Sequence, residues 1–246
     1  MCEINRVTAL EDLRRDNFAR ILGHLSRLLP SGDGRLLDVG CAYGWFLSAA
    51  AERGIPAIGI EPDAYTAAAA QARGVDVVAG YFPEALPAGE RFAAIAFNDV
   101  LEHIPDVHRM LAACTQVLEP GGLLVLSVPT SEGTLFRLAG VLATFGLSGP
   151  WERLWQKPFP SPHRYYFSRH VLNLAASRHG FTPLVAEGST TIKLRGLWAR
   201  MRFDRRSSRL ADAFRYLGVL LIYPAYVRLA HPDTELFIYR LRSNAE

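Results

Sequence analysis

Over its first half the chain alternates short apolar runs with segments of helical periodicity. Leu36–Val39, Ala57–Ile60, Val75–Val78, Phe92–Phe97 and Leu123–Pro129 are apolar stretches bounded by Gly, Pro or an acid. Runs of this kind read as strands buried on both faces, as in a parallel sheet with right-handed crossovers. Between them, Trp45–Arg53, Ala64–Ala72 and Val107–Leu118 read as helices. Ahead of the first strand, Leu10, Leu13, Phe18, Ile21, Leu22, Leu25, Leu28 and Leu29 fall on one helical face, which Pro30-Ser31-Gly32-Asp33-Gly34 ends. This helix reads either as a cover over a ligand site or as core packing.

The second half is less regular. Phe136, Leu138, Val141, Leu142 and Phe145 fit a short helix, and the following stretch, 146–162, is rich in Pro, Trp and Gly. Ser168 is an expected N-cap for a helix over Arg169–His179, and Gly180 is its stop. Phe181–Glu187 and Glu235–Leu241 read as two further strands. Tyr216–Val227 is an apolar run interrupted by Gly218 and Pro224.

The 246 residues, half of them hydrophobic, fit one α/β domain. Cys2, Cys41 and Cys114 have no paired or metal-binding spacing, so reduced thiols and no metal are expected. The charged N-terminus lacks a signal-peptide core, and no run approaches the ~20 apolar residues of a membrane span. A cytoplasmic location, peripheral to a membrane at most, is the expectation. The net charge of +3 conceals an asymmetry: residues 1–150 carry −6 and residues 151–246 carry +9. Lys193, Arg195, Arg200, Arg202, Arg205, Arg206, Arg209 and Arg215 are interleaved with Trp198, Met201 and Phe203. That pattern across 193–227 fits either contact with an anionic membrane surface or a solvated basic face.

Candidate chemistry gathers at the strand ends. Asp38-x-Gly40-x-Ala42-x-Gly44 follows the first strand. The acid precedes the turn, so the site can receive a cationic group, unlike the Gly-x-Gly-x-x-Gly of nicotinamide cofactors. Glu61 closes the second strand 23 residues later, where a carboxylate can take both hydroxyls of a ribose. Asn98-Asp99-Val100-Leu101-Glu102-His103-Ile104-Pro105-Asp106 follows the fourth strand, and Glu119-Pro120-Gly121-Gly122 precedes the fifth.

Together these four elements resemble the class I S-adenosylmethionine-dependent methyltransferases, especially small-molecule members such as the ubiquinone-biosynthesis O-methyltransferases. The resemblance covers about residues 34–130, and Ala42 stands where the family pattern has its middle glycine. It implies a Rossmann-like, seven-stranded, mostly parallel sheet with helices on both faces and an antiparallel last strand. Residues 1–33 would be a cover helix, 34–130 the cofactor core, and 131–163 and 189–234 substrate-side insertions. S-adenosylmethionine would be the cofactor and S-adenosylhomocysteine the product. Gly40, Cys41, Ala42 and Gly44 would lie against its methionine portion with Asp38, Asn98 and Asp99. Glu61, beside Pro62, would hold the ribose, and Tyr81 or Phe82 would line the adenine. His103 and His163 are the candidates for acid–base work, with structural roles open for both. The implied function is methyl transfer to a small-molecule acceptor, at oxygen. A non-catalytic scaffold and a methyltransferase for a lipid-linked or nucleic-acid substrate are the alternatives. Nucleic acid is disfavoured because no base-methylation signature or RNA module is present. Oligomeric state is not legible.

Overall fold

A computed structural model describes residues 2–29, 34–157, 160–189, 198 and 209–243. Seven strands form one sheet: β1 (Leu36–Val39), β2 (Ala57–Glu61), β3 (Val77–Ala79), β4 (Phe92–Asn98), β5 (Leu118–Pro129), β6 (Phe181–Gly188) and β7 (Thr234–Leu241). Their spatial order is β3-β2-β1-β4-β5-β7-β6, and β7 runs antiparallel to both its neighbours. From β1 the chain winds outward to β2 and β3, then returns to place β4 and β5 on the other side of β1. The reversal falls between β1 and β4, where open α/β sheets bind ligands.

Strand parity explains the apolar runs. Leu37, Val39, Ile95, Phe97, Leu124, Leu126, Phe237 and Tyr239 face one core cluster. Leu36, Ala94, Ala96, Leu123, Val125, Leu236 and Ile238 face the other. Helices α4 (Val107–Val117) and α7 (Arg169–Arg178) cover the first face through Leu111, Cys114, Leu172 and Ala176. Helices α1 (Cys2–Leu28) and α2 (Trp45–Ala51) cover the second, and Phe18 packs on Phe46 at 5.1 Å between ring centres. Helix α3 (Ala64–Gln71) begins at Asp63, whose carboxylate accepts from the Thr66 amide. Ser168 caps α7 in the same way, as expected, and Gly180 follows with a left-handed φ of 79°.

Several boundaries differ from the sequence reading. The third strand is shifted to Val77–Ala79. Glu119–Gly122 does turn, but strand pairing holds on both sides of it: Phe92 pairs with Leu118 and Ala94 with Leu123, so the four residues bulge out of β5. Gly218 and Pro224 do not divide the apolar run, which lies inside one helix, α8 (Arg209–Leu229). Pro30–Asp33 and the basic positions 193–206 lie outside the described residues.

The insertion after β5 forms α5 (Thr134–Thr144) and α6 (Gly149–Leu154). Phe136, Trp151, Trp155 and Tyr166 pack ring on ring there, with centroids 4.5–6.2 Å apart. The chain leaving α8 is joined to α5 by a carboxylate and by a reciprocal pair of hydrogen bonds between Thr134 and His231. Asp233 accepts from the Leu135 amide and from the Tyr226 hydroxyl, each at 2.6 Å.

Candidate active site

The turn after β1 is built from left-handed residues: Gly40 at φ 71°, Ala42 at 47° and Gly44 at 72°. At Gly44 a Cβ would also come within 2.5 Å of Val75, so glycine is required there on two grounds. Ala42 holds the same kind of backbone with a methyl group, at a steric cost that glycine avoids. The Ala42 amide donates to Glu61 Oε2 and the Asp63 amide to Oε1, each at 3.0 Å. Glu61 therefore fastens the turn after β1 to the turn after β2.

Asp38 is 2% exposed. Burial pushes its carboxyl up to about 7; the hydrogen bond from Asn98 Nδ2, 2.9 Å long, opposes that shift and the nearby Glu61 charge adds to it. The buried Asn98 Oδ1 has no hydrogen-bond partner among the described residues. A half-ionised carboxyl beside an orphaned acceptor is an acceptor set suited to an ammonium group, and its negative charge suits a sulfonium. The residues present thus fit the methionine end of S-adenosylmethionine.

Arg14, which the sequence reading did not single out, also reaches these strand ends. Its guanidinium lies 5.6 Å from the centre of the Trp45 ring and 3.7 Å from Asp99, which holds a left-handed φ of 57°. Helix α1 therefore reaches the carboxyl edge of the sheet as well as packing on it. The signal was an arginine among the apolar positions of the proposed cover helix.

Tyr81 and Phe82 separate. Tyr81 is 72% exposed, whereas Phe82 is buried against Phe97, edge to face at 6.0 Å. Phe82 belongs to the core because the chain after β3 turns its ring under the sheet. Cys41 is likewise buried, with burial pushing its thiol far up, and only its backbone belongs to the turn. Pro62 is exposed beside Glu61.

His103 and His163 come together although 60 positions separate them. Their rings meet edge to face at 4.8 Å. His103 Nδ1 lies 3.2 Å from the Pro162 carbonyl, which can only accept, so Nδ1 carries a proton and the neutral ring has its lone pair on Nε2. Ser161 Oγ is also 3.2 Å from Nδ1. His163 is engaged at both nitrogens: Nε2 with the Gln156 amide nitrogen at 2.7 Å, and Nδ1 with the Tyr166 hydroxyl at 3.3 Å. That hydroxyl donates onward to the Leu154 carbonyl. Burial and the adjacent His103 press His163 down to about 4, so it is neutral near pH 7. Glu102 is 1% exposed and burial raises its carboxyl well above the usual range, with Asp99 adding to the shift. Glu102, His103 and His163 bring a carboxylate oxygen and two ring nitrogens within 4.8 Å of one another, a geometry that would hold a metal once His163 gives up a hydrogen bond, where the sequence had led to none being expected.

Solved structures share this fold. A S-adenosylmethionine-dependent methyltransferase from Archaeoglobus fulgidus aligns over 94% of this chain and 97% of its own, with a TM-score of 0.59 at 17% identity. The cyclopropane synthase MmaA2 from Mycobacterium tuberculosis aligns over 90% and 83%, with a TM-score of 0.61 at 21% identity. The protein thus shares the Rossmann-like fold of these structures. The family model described as methyltransferase domain matches residues 13–186, and the chain belongs to that family, in its class I, S-adenosylmethionine-dependent form. The ubiquinone biosynthesis O-methyltransferase of Azorhizobium caulinodans is 31% identical over 140 residues, which is 54% of this chain and 55% of that protein. One from Rhodopseudomonas palustris is 29% identical over 196 residues, 75% and 70% respectively. The chain spans about half the length of the curated relatives it matches first.

Proposed function

We propose that the protein transfers a methyl group from S-adenosylmethionine to a hydroxyl of a small-molecule acceptor. The observation that carries this reading is the pair of carboxylates, Asp38 and Glu61, on adjacent strand ends around a left-handed turn. The bound cofactor would supply an activated methyl group on a sulfonium. Asp38 and the orphaned Asn98 oxygen then orient its ammonium end, Glu61 takes the ribose hydroxyls, and Arg14 closes the mouth from α1. His103 Nε2 receives the proton of the acceptor hydroxyl, and the Pro162 carbonyl holds the imidazole in the required tautomer. His163, tied to Gln156 and Tyr166, positions the segment that carries Pro162. The remaining acceleration comes from alignment and exclusion of water.

Isothermal titration with S-adenosylmethionine tests the cofactor assignment. Glu61→Ala is expected to weaken binding by at least about tenfold, the worth of a lost charged hydrogen bond. Unchanged affinity in the folded variant would overturn the assignment, and a wild-type chain that binds no cofactor would favour the scaffold alternative. Incubating a cell extract with the protein and methyl-labelled cofactor identifies the acceptor by mass spectrometry.

The Glu102–His103–His163 cluster supports a second reading in which a divalent cation binds there and activates the acceptor oxygen. Turnover abolished by a chelator and restored by a divalent salt would establish it, and would displace His103 as the base. Peripheral contact with an anionic membrane also belongs to this proposal, in a cytoplasmic setting. Leu221 and Leu229 of α8 and Phe145 after α5 are about four-fifths exposed, and exposed apolar side chains in a chain that also carries a basic run in its sequence suit an anionic lipid surface. No described helix is long and apolar enough to cross a membrane.

A further inference from the structure

We propose that a cavity between the start of α7 and the start of β7 binds a small zwitterion by its ammonium group, separately from the cofactor cleft. The cavity encloses about 500 Å³, and Glu132, Arg169, His170, His231 and Glu235 line it. Strand parity sets it apart from the cleft. Asn98 follows Phe97 and so points to the α1 face, whereas Glu235 alternates with Leu236 and points, like Phe237, to the α7 face.

Glu235 is 4% exposed. Its Oε1 accepts from Arg169 Nη2 at 2.6 Å. Its buried Oε2 has no hydrogen-bond partner among the described residues. A buried carboxylate oxygen without a donor is a demand for one, and an ammonium meets it with three N–H groups and opposite charge. Glu132 places a second carboxylate on the same cavity, so two acids share it with one guanidinium. Arg169 spends one donor on Glu235, and its half-exposed side chain keeps the others for an anion. A carboxylate or phosphate a few bonds from the ammonium would reach them. The groups lining this cavity are not among those placed closely enough to ligate a bare metal ion, which among the described residues occurs only at Glu102, His103 and His163. An organic cation with an anionic end therefore fits better than a metal.

Thermal-shift and calorimetric titrations of the whole chain with O-phosphoethanolamine, β-alanine, ethylammonium and inorganic phosphate test this. At least one zwitterion is expected to bind and raise the melting temperature, ethylammonium to bind more weakly, and phosphate not at all. The two zwitterions distinguish a phosphate from a carboxylate partner for Arg169. Glu235→Gln keeps an oxygen for Arg169 and is expected to weaken zwitterion binding at least about tenfold, with S-adenosylmethionine affinity unchanged. Should that variant fail to fold, Glu132→Gln is expected to weaken it severalfold. No binding by either zwitterion, phosphate binding as tightly as a zwitterion, or affinity unaltered in the folded variants would overturn the proposal. Because the cofactor titration is independent, zwitterion binding by a chain that ignores S-adenosylmethionine would refute the cofactor assignment alone.

Discussion

The carboxyl edge of the sheet carries two unlike surfaces. Over β1, β2 and β4, the polar groups are fixed by the strands themselves: Asp38 and Asn98 lie on neighbouring strands, and Glu61 grips two backbone amides. Beyond β5 they are fixed by side chains reaching between separate segments, as in the path from Gln156 through His163 and Tyr166 to Leu154. The first surface is set once the sheet forms. The second exists only when α5, α6 and residues 160–167 have packed together. His103 stands at the seam, carried by the turn after β4 and oriented by the insertion.

The largest effect is expected at that seam. If His103 is the base, His103→Gln lowers turnover about a hundredfold or more while S-adenosylmethionine affinity stays within about twofold. Single-turnover kinetics at saturating cofactor checks this, and turnover near wild type would detach the insertion from the chemistry.

Asp38→Asn tests the strand-built surface, and it should separate stability from binding. The folded chain holds a proton on Asp38 up to about pH 7, whereas the unfolded chain releases it near the ordinary value of 3.8. Stability of the ligand-free protein therefore falls as pH rises through that window, and Asp38→Asn removes the fall. The gain at pH 8 is about 2–4 kcal/mol, read by denaturant titration at pH 5 and pH 8. Cofactor affinity moves oppositely, rising in the wild type up to about pH 7 and dropping at least about tenfold in the variant. A variant less stable than wild type at pH 8 would refute the burial argument.

The smallest effect concerns Ala42. Glycine relieves a left-handed alanine by about 1–2 kcal/mol and returns much of that as chain entropy. Ala42→Gly is thus expected to stabilise by at most about 1 kcal/mol, leaving cofactor affinity unchanged. Clear destabilisation would mean that the methyl group packs usefully.

What was legible in the sequence follows the same division. The run Leu36–Val39, the acids Asp38 and Glu61 at strand ends and the alternation of strands with helices were readable because each is a local pattern repeated along a parallel sheet. The bulge at Glu119–Gly122 read as a plain turn because pairing on both sides of it depends on β4. Tyr81 and Phe82 read as alternatives for the cleft or for packing because an aromatic after a strand carries no sign of which way its ring points. Arg14 was not singled out, since an arginine on a helix is a faint signal and its partners Trp45 and Asp99 lie 31 and 85 positions away. The meeting of His103 and His163, and the orphaned oxygen of Glu235, arise only from tertiary packing.

Asp233 makes the two insertions interdependent. Its two oxygens hold the first turn of α5 and a tyrosine near the end of α8, segments about 90 positions apart in the chain. Anyone exchanging acceptor preference by grafting would find that neither insertion is a cassette by itself. A chimera that imports α5 and α6 from another family member must import α8 and the residue at 233 with them, and recombination between the two segments would be selected against for the same reason.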